Sequence, residues 1–204
     1  MREQKEKQAM NKIVIALVGK AGSGKDTIAT KLAAARSDWN MIVSCTTRPM
    51  REGEQEGVNY FYLTNEEFAN KILNGDMLEA TFFNNWHYGT MKSSLKDGVN
   101  IGVFNPAGYD CLVEMDIPGV TVMGYFIDCR DKTRMLRQLN REEDPNVEEI
   151  IRRYAADEED FYEIKNELLD YKLDYCWNET PEDLADVVSY IIDKTQHVVD
   201  IGHV

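Results

Sequence analysis

Basic residues are in short supply: 23 lysines and arginines stand against 36 aspartates and glutamates, a formal net charge of −13 over 204 residues. That balance excludes a protein built to neutralise a nucleic-acid backbone, which needs a basic face. It does not exclude a nucleotide ligand, because a few clustered arginines hold one phosphate on an otherwise acidic protein. Cysteine is sparse too. Cys45, Cys111, Cys129 and Cys176 are scattered, with no Cys-x-x-Cys pair. The pattern speaks against a zinc site or a disulfide framework and for buried, reduced thiols in a cytoplasmic protein. Apolar runs long enough for a membrane helix are missing, and residues 1–12 are polar and charged rather than signal-like. No membrane partner is expected, and no oligomeric state is implied.

What is present is enough hydrophobic residue (43%) for one compact α/β domain with small inserted subdomains. Residues 12–18, KIVIALV, read as a buried strand. A glycine-rich loop follows, then a helix over 26–36. Strands are expected at 41–47, 59–63, 77–83, 99–104, 120–127 and 172–177. Thr64 with Glu67 forms a capping box for a helix to Leu73, which Asn74-Gly75 ends. A helix follows Pro106. Residues 131–141 and 146–168 read as charged helices parted by Asp144-Pro145. Thr180, Pro181 and Asp183 open the last helix. Strands alternating with helices predict a mostly parallel sheet covered on both faces.

Gly19-Lys20-Ala21-Gly22-Ser23-Gly24-Lys25 lies between the first strand and the first helix. This is a phosphate-loop pattern in its required context. Its glycines let backbone N–H groups converge on phosphate oxygens, Lys25 adds a point charge, and the helix N-terminus adds its dipole. Asp26 stands where a magnesium-facing hydroxyl is usual, and Thr27 follows it. The loop by itself indicates a bound nucleoside triphosphate and no particular reaction.

Residues 44–90 add the specificity: SCTTRPMREGEQEGVNYFYLTNEEFANKILNGDMLEATFFNNWHYGT. Arg48 and Arg51, three apart, suit a forked clamp on a phosphate dianion, and Tyr60 and Tyr88 offer hydroxyl donors. The segment closely resembles the guanylate kinase family. The shared pattern is Ser-x-Thr-Thr-Arg-x-x-Arg, Gly-Glu-x-x-Gly-x-x-Tyr-x-Phe, Leu-Glu and Tyr-Gly-Thr, with Tyr62 in place of the second aromatic. The resemblance runs from about Asn11 to Ile192. It implies an acceptor site in which Glu79 takes the two adjacent N–H donors of guanine, Ser44 and Thr90 face its O6, and Arg48, Arg51, Tyr60 and Tyr88 hold the phosphate.

The same resemblance implies a mobile lid. Arg137 and Arg141, four apart on one helix face, and Arg153, with Arg152 as the alternative, would close over ATP. Asn178 resembles the family's adenine-loop asparagine. With Lys25 and Arg48, the lid arginines make up the expected catalytic set. Gly19, Ala21, Gly22, Ser23, Gly24, Lys25, Asp26, Thr27 and Asn178 make up the ATP site. Asn105 belongs to the GMP site but stands, like Val103, where the family has an aspartate.

The expectation is therefore a P-loop NTPase-type core (residues 11–43, 91–130 and 163–192) with an inserted mixed α/β acceptor subdomain (44–90) and a helical lid (131–162). Polar tails are expected at 1–10 and 193–204. The expected activity is ATP-dependent phosphorylation of GMP or dGMP with Mg²⁺, Asp26 being the candidate metal residue. Two alternatives stand beside it. One is a broader deoxynucleoside-monophosphate kinase. The other is a phosphopeptide-binding module of the same fold, which the intact Gly24-Lys25 loop disfavours.

Overall fold

A computed structural model describes residues 12–51, 53–83, 85–141, 143–166 and 171–202. The chain's central element is β1 (Lys12–Val18), paired in parallel with β7 (Gly98–Phe104) on one side and β8 (Val120–Asp128) on the other. Short β2 (Asn40–Met41) and β9 (Leu173–Trp177) complete a five-stranded parallel sheet in the order β2-β7-β1-β8-β9. The continuous apolar run of β1 follows from that position. Ile13, Ile15 and Leu17 enter one core cluster, while Val14, Ala16 and Val18 enter the cluster on the opposite face. A strand buried on both faces has no polar side to show.

Helices cover both faces. On one side lie α1 (Lys25–Ala35), whose Ile28, Ala29 and Leu32 are buried, and the last helix. On the other lies the helix Pro106–Glu114, which packs Tyr109 and Leu112. It is designated α3, with α2 at Asn65–Leu73. The segment expected as a lid, 131–162, carries α4 (Asp131–Leu139) and α5 (Val147–Asp160), and short α6 (Tyr162–Asn166) begins at its end. The long helix expected over 146–168 is interrupted at Phe161, whose buried ring packs beside Phe126 of β8. The end of that expected helix, residues 167–168, lies outside the described residues.

The last helix, α7 (Pro181–Ile201), opens with the expected capping box and proline. It then corrects one domain boundary. Residues 193–201 are not a tail but the continuation of α7, where Thr195 is buried and Val198 and Val199 pack against the core. His197 is an exposed helical residue, and His203 lies outside the described residues, as does the tail expected at 1–10.

The acceptor segment forms its own four-stranded sheet: β3 (Cys45–Thr46), β4 (Phe61–Tyr62), β5 (Met77–Phe83) and β6 (Trp86–Met91), in the order β4-β3-β6-β5. β3 and β4 are parallel; β6 runs antiparallel to both β3 and β5. The strand expected over 41–47 is thus two strands in two sheets, and the chain crosses from core to acceptor subdomain between them. β6 was not expected as a strand, since its WHYGTM carries little β-branched or alternating signal. Cys45, Phe68, Met77 and Met91 form a small separate core here. Cys45, Cys129 and Cys176 are buried and Cys111 half-buried; all four are free thiols.

Candidate active site

The phosphate loop leaves the C-terminal end of β1 and turns into α1 through two left-handed glycines, Gly22 and Gly24. Neither tolerates a side chain. A Cβ on Gly22 would lie 2.5 Å from the Arg134 carbonyl oxygen, and one on Gly24 would lie 2.3 Å from Asn178 Nδ2. The loop's outer side is braced. Ser23 O accepts hydrogen bonds from Asn178 Nδ2 (2.8 Å) and Arg137 Nη1 (3.1 Å), and Arg137 Nη2 also donates to Asn178 O (2.9 Å). Arg137 and Asn178 are thereby engaged with loop backbone rather than lining the cleft. Asp26 and Thr27 are exposed on the first turn of α1, where a negative charge suits the helix dipole.

A cavity of ≈ 270 Å³ joins this loop to the acceptor sheet. Gly19, Ala21 and Lys25 line its loop end; Ser44, Tyr60, Glu79 and Tyr88 line its acceptor end; Val103 and Asn105 lie between. Sheet register assembles the polar end. Glu79 on β5 faces Thr90 on β6, and Ser44 Oγ sits 3.4 Å from Thr90 Oγ1. Thr90 is fully buried and Glu79 nearly so. Burial raises the Glu79 carboxyl to about 7, only partly opposed by its hydrogen bond with Thr90. Such a buried carboxyl, lining the cavity, suits a ligand that donates N–H groups.

The arginine pair divides its labour. Arg48 is buried and its Nη2 donates to both carboxylate oxygens of Glu54 (2.8 and 3.0 Å), while Nη1 donates to Pro49 O (2.8 Å). Glu54 also accepts the Tyr62 hydroxyl (2.7 Å) and the Arg51 N–H (2.8 Å). Burial alone would raise Glu54, but the hydrogen bonds from Arg48, Arg51 and Tyr62 outweigh it and bring it down to about 2. The Arg51 side chain is exposed and lines a second cavity, ≈ 470 Å³, with Arg141 and Arg153. Arg153 lines both cavities. Its neighbour Arg152 also bonds Glu149 and is not among the residues that line these two cavities.

A family model described as guanylate kinase matches residues 10–190. The chain belongs to the guanylate kinase family. A guanylate kinase of Fusobacterium nucleatum is 34% identical over 182 residues, covering 85% of this chain and 92% of that protein. One from Chlorobium luteolum is 39% identical over 99 residues, covering 48% of this chain and 47% of that protein. The crystal structure of guanylate kinase from Anaplasma phagocytophilum shares the fold, with a TM-score of 0.64 over 92% of this chain and 87% of that one, at 24% identity. The family implies a nucleotide-kinase reaction, one that generally uses magnesium. Among the described residues, no helix is long and apolar enough to cross a membrane.

Against the family pattern, the departures have structural consequences. Asn105 is the N-cap of α3: its Oδ1 accepts the Gly108 N–H (2.7 Å) and its Nδ2 donates to Thr81 Oγ1 (3.2 Å). The guanylate kinase aspartate at this position is thus replaced by an amide already committed on both sides. His87 stacks on Phe68 (5.1 Å). Sequence reasoning passed over Glu54, although it lies in the Gly-Glu motif. It also passed over Arg134 and Asp157, buried charged residues around the loop that belong to no quoted motif, and gave no role to Lys20, buried within the loop motif itself.

Proposed function

We propose that this member of the guanylate kinase family transfers the γ-phosphoryl group of ATP to GMP or dGMP. The observation that carries the reading is the group of buried Glu79 and Thr90 with half-buried Ser44 at one end of a cavity whose other end is the phosphate loop with Lys25. An ionised Glu79 accepts the two adjacent N–H donors of guanine, while Ser44 and Thr90 donate to O6. A site built on such bonds rejects bases that lack the complementary groups.

Arg51 and Arg48, with Tyr60 and Tyr88, take the acceptor phosphate; Glu54 sets the Arg48 orientation. Gly19, Ala21, Gly22, Ser23 and Gly24 present the loop backbone to the donor, and Lys25 adds charge at its terminal phosphates. Arg141 and Arg153 neutralise the transferring group from the lid. Arg137 and Asn178 keep the loop in shape from outside, with Asn178 at the adenine end. The acceptor phosphate is largely dianionic near neutral pH, with a second pKa of about 6, so no protein base is needed. Closure of the lid excludes water, which would otherwise compete as acceptor.

Magnesium bound to a nucleotide takes one or two carboxylates and keeps several waters. No cluster of three potential ligands exists among the described residues, so a site fully built by the protein does not fit, whereas one exposed carboxylate does. Asp26 is that residue, directly or through water. When bound, the metal neutralises phosphate charge. A cytoplasmic setting agrees with the four free thiols.

One observation favours a second reading, a broader deoxynucleoside-monophosphate kinase: Asn105 brings no carboxylate to the base side of the cavity. ATP consumption measured with GMP, dGMP, AMP, dTMP and dCMP separates the two. Turnover confined to GMP and dGMP is expected; comparable rates with a pyrimidine or with AMP would give the second reading precedence.

A further inference from the structure

Two carboxylates of the lid reach into the phosphate loop. Asp157, buried on α5, accepts the Ala21 N–H at 2.7 Å and an Arg134 Nη2–H at 2.9 Å. Arg134 is fully buried and donates further to Ala21 O (3.1 Å), Asp131 (2.8 Å) and Glu158 (3.3 Å). Glu158 pairs in turn with Lys20, a loop residue only 3% exposed. Arg153 and Asp157 are four apart on α5, so they share a face, and both line the cavity with Lys25 and Asp160.

The N–H groups of such a loop attract anions, and a carboxylate oxygen on one of them makes a charge-assisted bond. We propose that Asp157 occupies, in the nucleotide-free chain, the place of a donor-phosphate oxygen at the Ala21 N–H, so that ATP binds only by displacing it. Asp157 is then a residue of the donor site that lowers donor affinity and ties the state of the loop to the lid. An arriving triphosphate repels Asp157 and attracts Arg153 one turn away, so the same helix face exchanges a carboxylate for a guanidinium. Arg134 keeps Asp131, on its own helix, and Ala21 O when Asp157 leaves, so the exchange strands no buried cation.

The inference rests on the reading of the loop as the donor site, and ATP binding separates the two ideas. Calorimetric titration of wild type, Asp157→Asn and Asp157→Ala with ATP, in magnesium and in EDTA, is the test. Both variants are expected to bind ATP roughly tenfold more tightly, because a full charge near the phosphates is gone. The gain should be larger in EDTA, where the phosphates are less neutralised. Should the alanine variant fail to fold, the isosteric asparagine variant carries the test alone. Unchanged or weaker ATP binding by Asp157→Asn makes Asp157 a prop of the loop and overturns the proposal. Wild type that binds no ATP overturns both the proposal and the donor-site reading.

Discussion

The acceptor subdomain and the lid both supply charged groups to one cleft, but they hold them differently. In the acceptor subdomain, position comes from strand register: Glu79 opposite Thr90, and Thr46 opposite Tyr88, are fixed by the β5–β6 and β3–β6 ladders. In the lid, position comes from charge pairing: Arg153 rests on Glu149, and Arg134 on Asp131, Asp157 and Glu158. Ladder geometry changes only if the sheet slips, and a slip of one residue would turn every side chain over. Ion pairs exchange partners readily when a stronger anion arrives. The acceptor end is thus preformed for its base, whereas the lid is preformed for change.

The largest expected effect lies where the two regions meet. Lys25→Ala should lower kcat by about 10²–10³, the scale of losing one aimed charge in a phosphoryl-transfer site, with the KM for GMP little changed; steady-state kinetics in both substrates decides. Glu79→Gln comes next. It should raise the KM for GMP by roughly one to two orders of magnitude and leave that for ATP nearly intact, since a lost charge-assisted acceptor leaves guanine N–H groups unpaired. Equal shifts for both substrates would erase the contrast drawn above.

The pH dependence sharpens it. Because burial lifts Glu79 to about 7 in the empty site, binding of GMP should weaken as pH falls below that value, and Glu79→Gln should flatten this part of the profile. The sign for stability is opposite. A carboxyl raised on folding favours the protonated native state, so its contribution is lost as pH rises from the unfolded value through about 7. Arg51→Ala should be milder, about tenfold in the KM for GMP, because Arg48 remains. Thr64→Ala is expected to have the smallest effect: it removes the α2 capping box for about 1 kcal/mol of stability, read as a shift in the denaturation midpoint with kinetics unaffected.

Legibility in the sequence followed the range of the interactions. The phosphate loop, both capping boxes and β1 were readable because each is decided within a few residues. The acceptor residues Ser44, Glu79 and Thr90 were readable because several motifs held a common spacing. Arg134 and Asp157 were not, since their importance depends on α4 and α5 folding onto a loop more than a hundred residues earlier. That Arg153 lines both cavities likewise depends on where the helix is placed. The break at Phe161 is a tertiary decision as well: Phe161-Tyr162 in a charged helical stretch gives no local reason to stop.

Strand β1 sits at the middle of the parallel sheet, with six of its seven residues buried. Its amides should exchange with deuterated water only when the whole molecule opens, whereas the acceptor sheet, with a small core of its own, is free to open by itself at lower cost. The loop that grips the donor is therefore rooted in the slowest-exchanging part of the protein, and the surfaces that grasp the acceptor are carried by one of the faster ones.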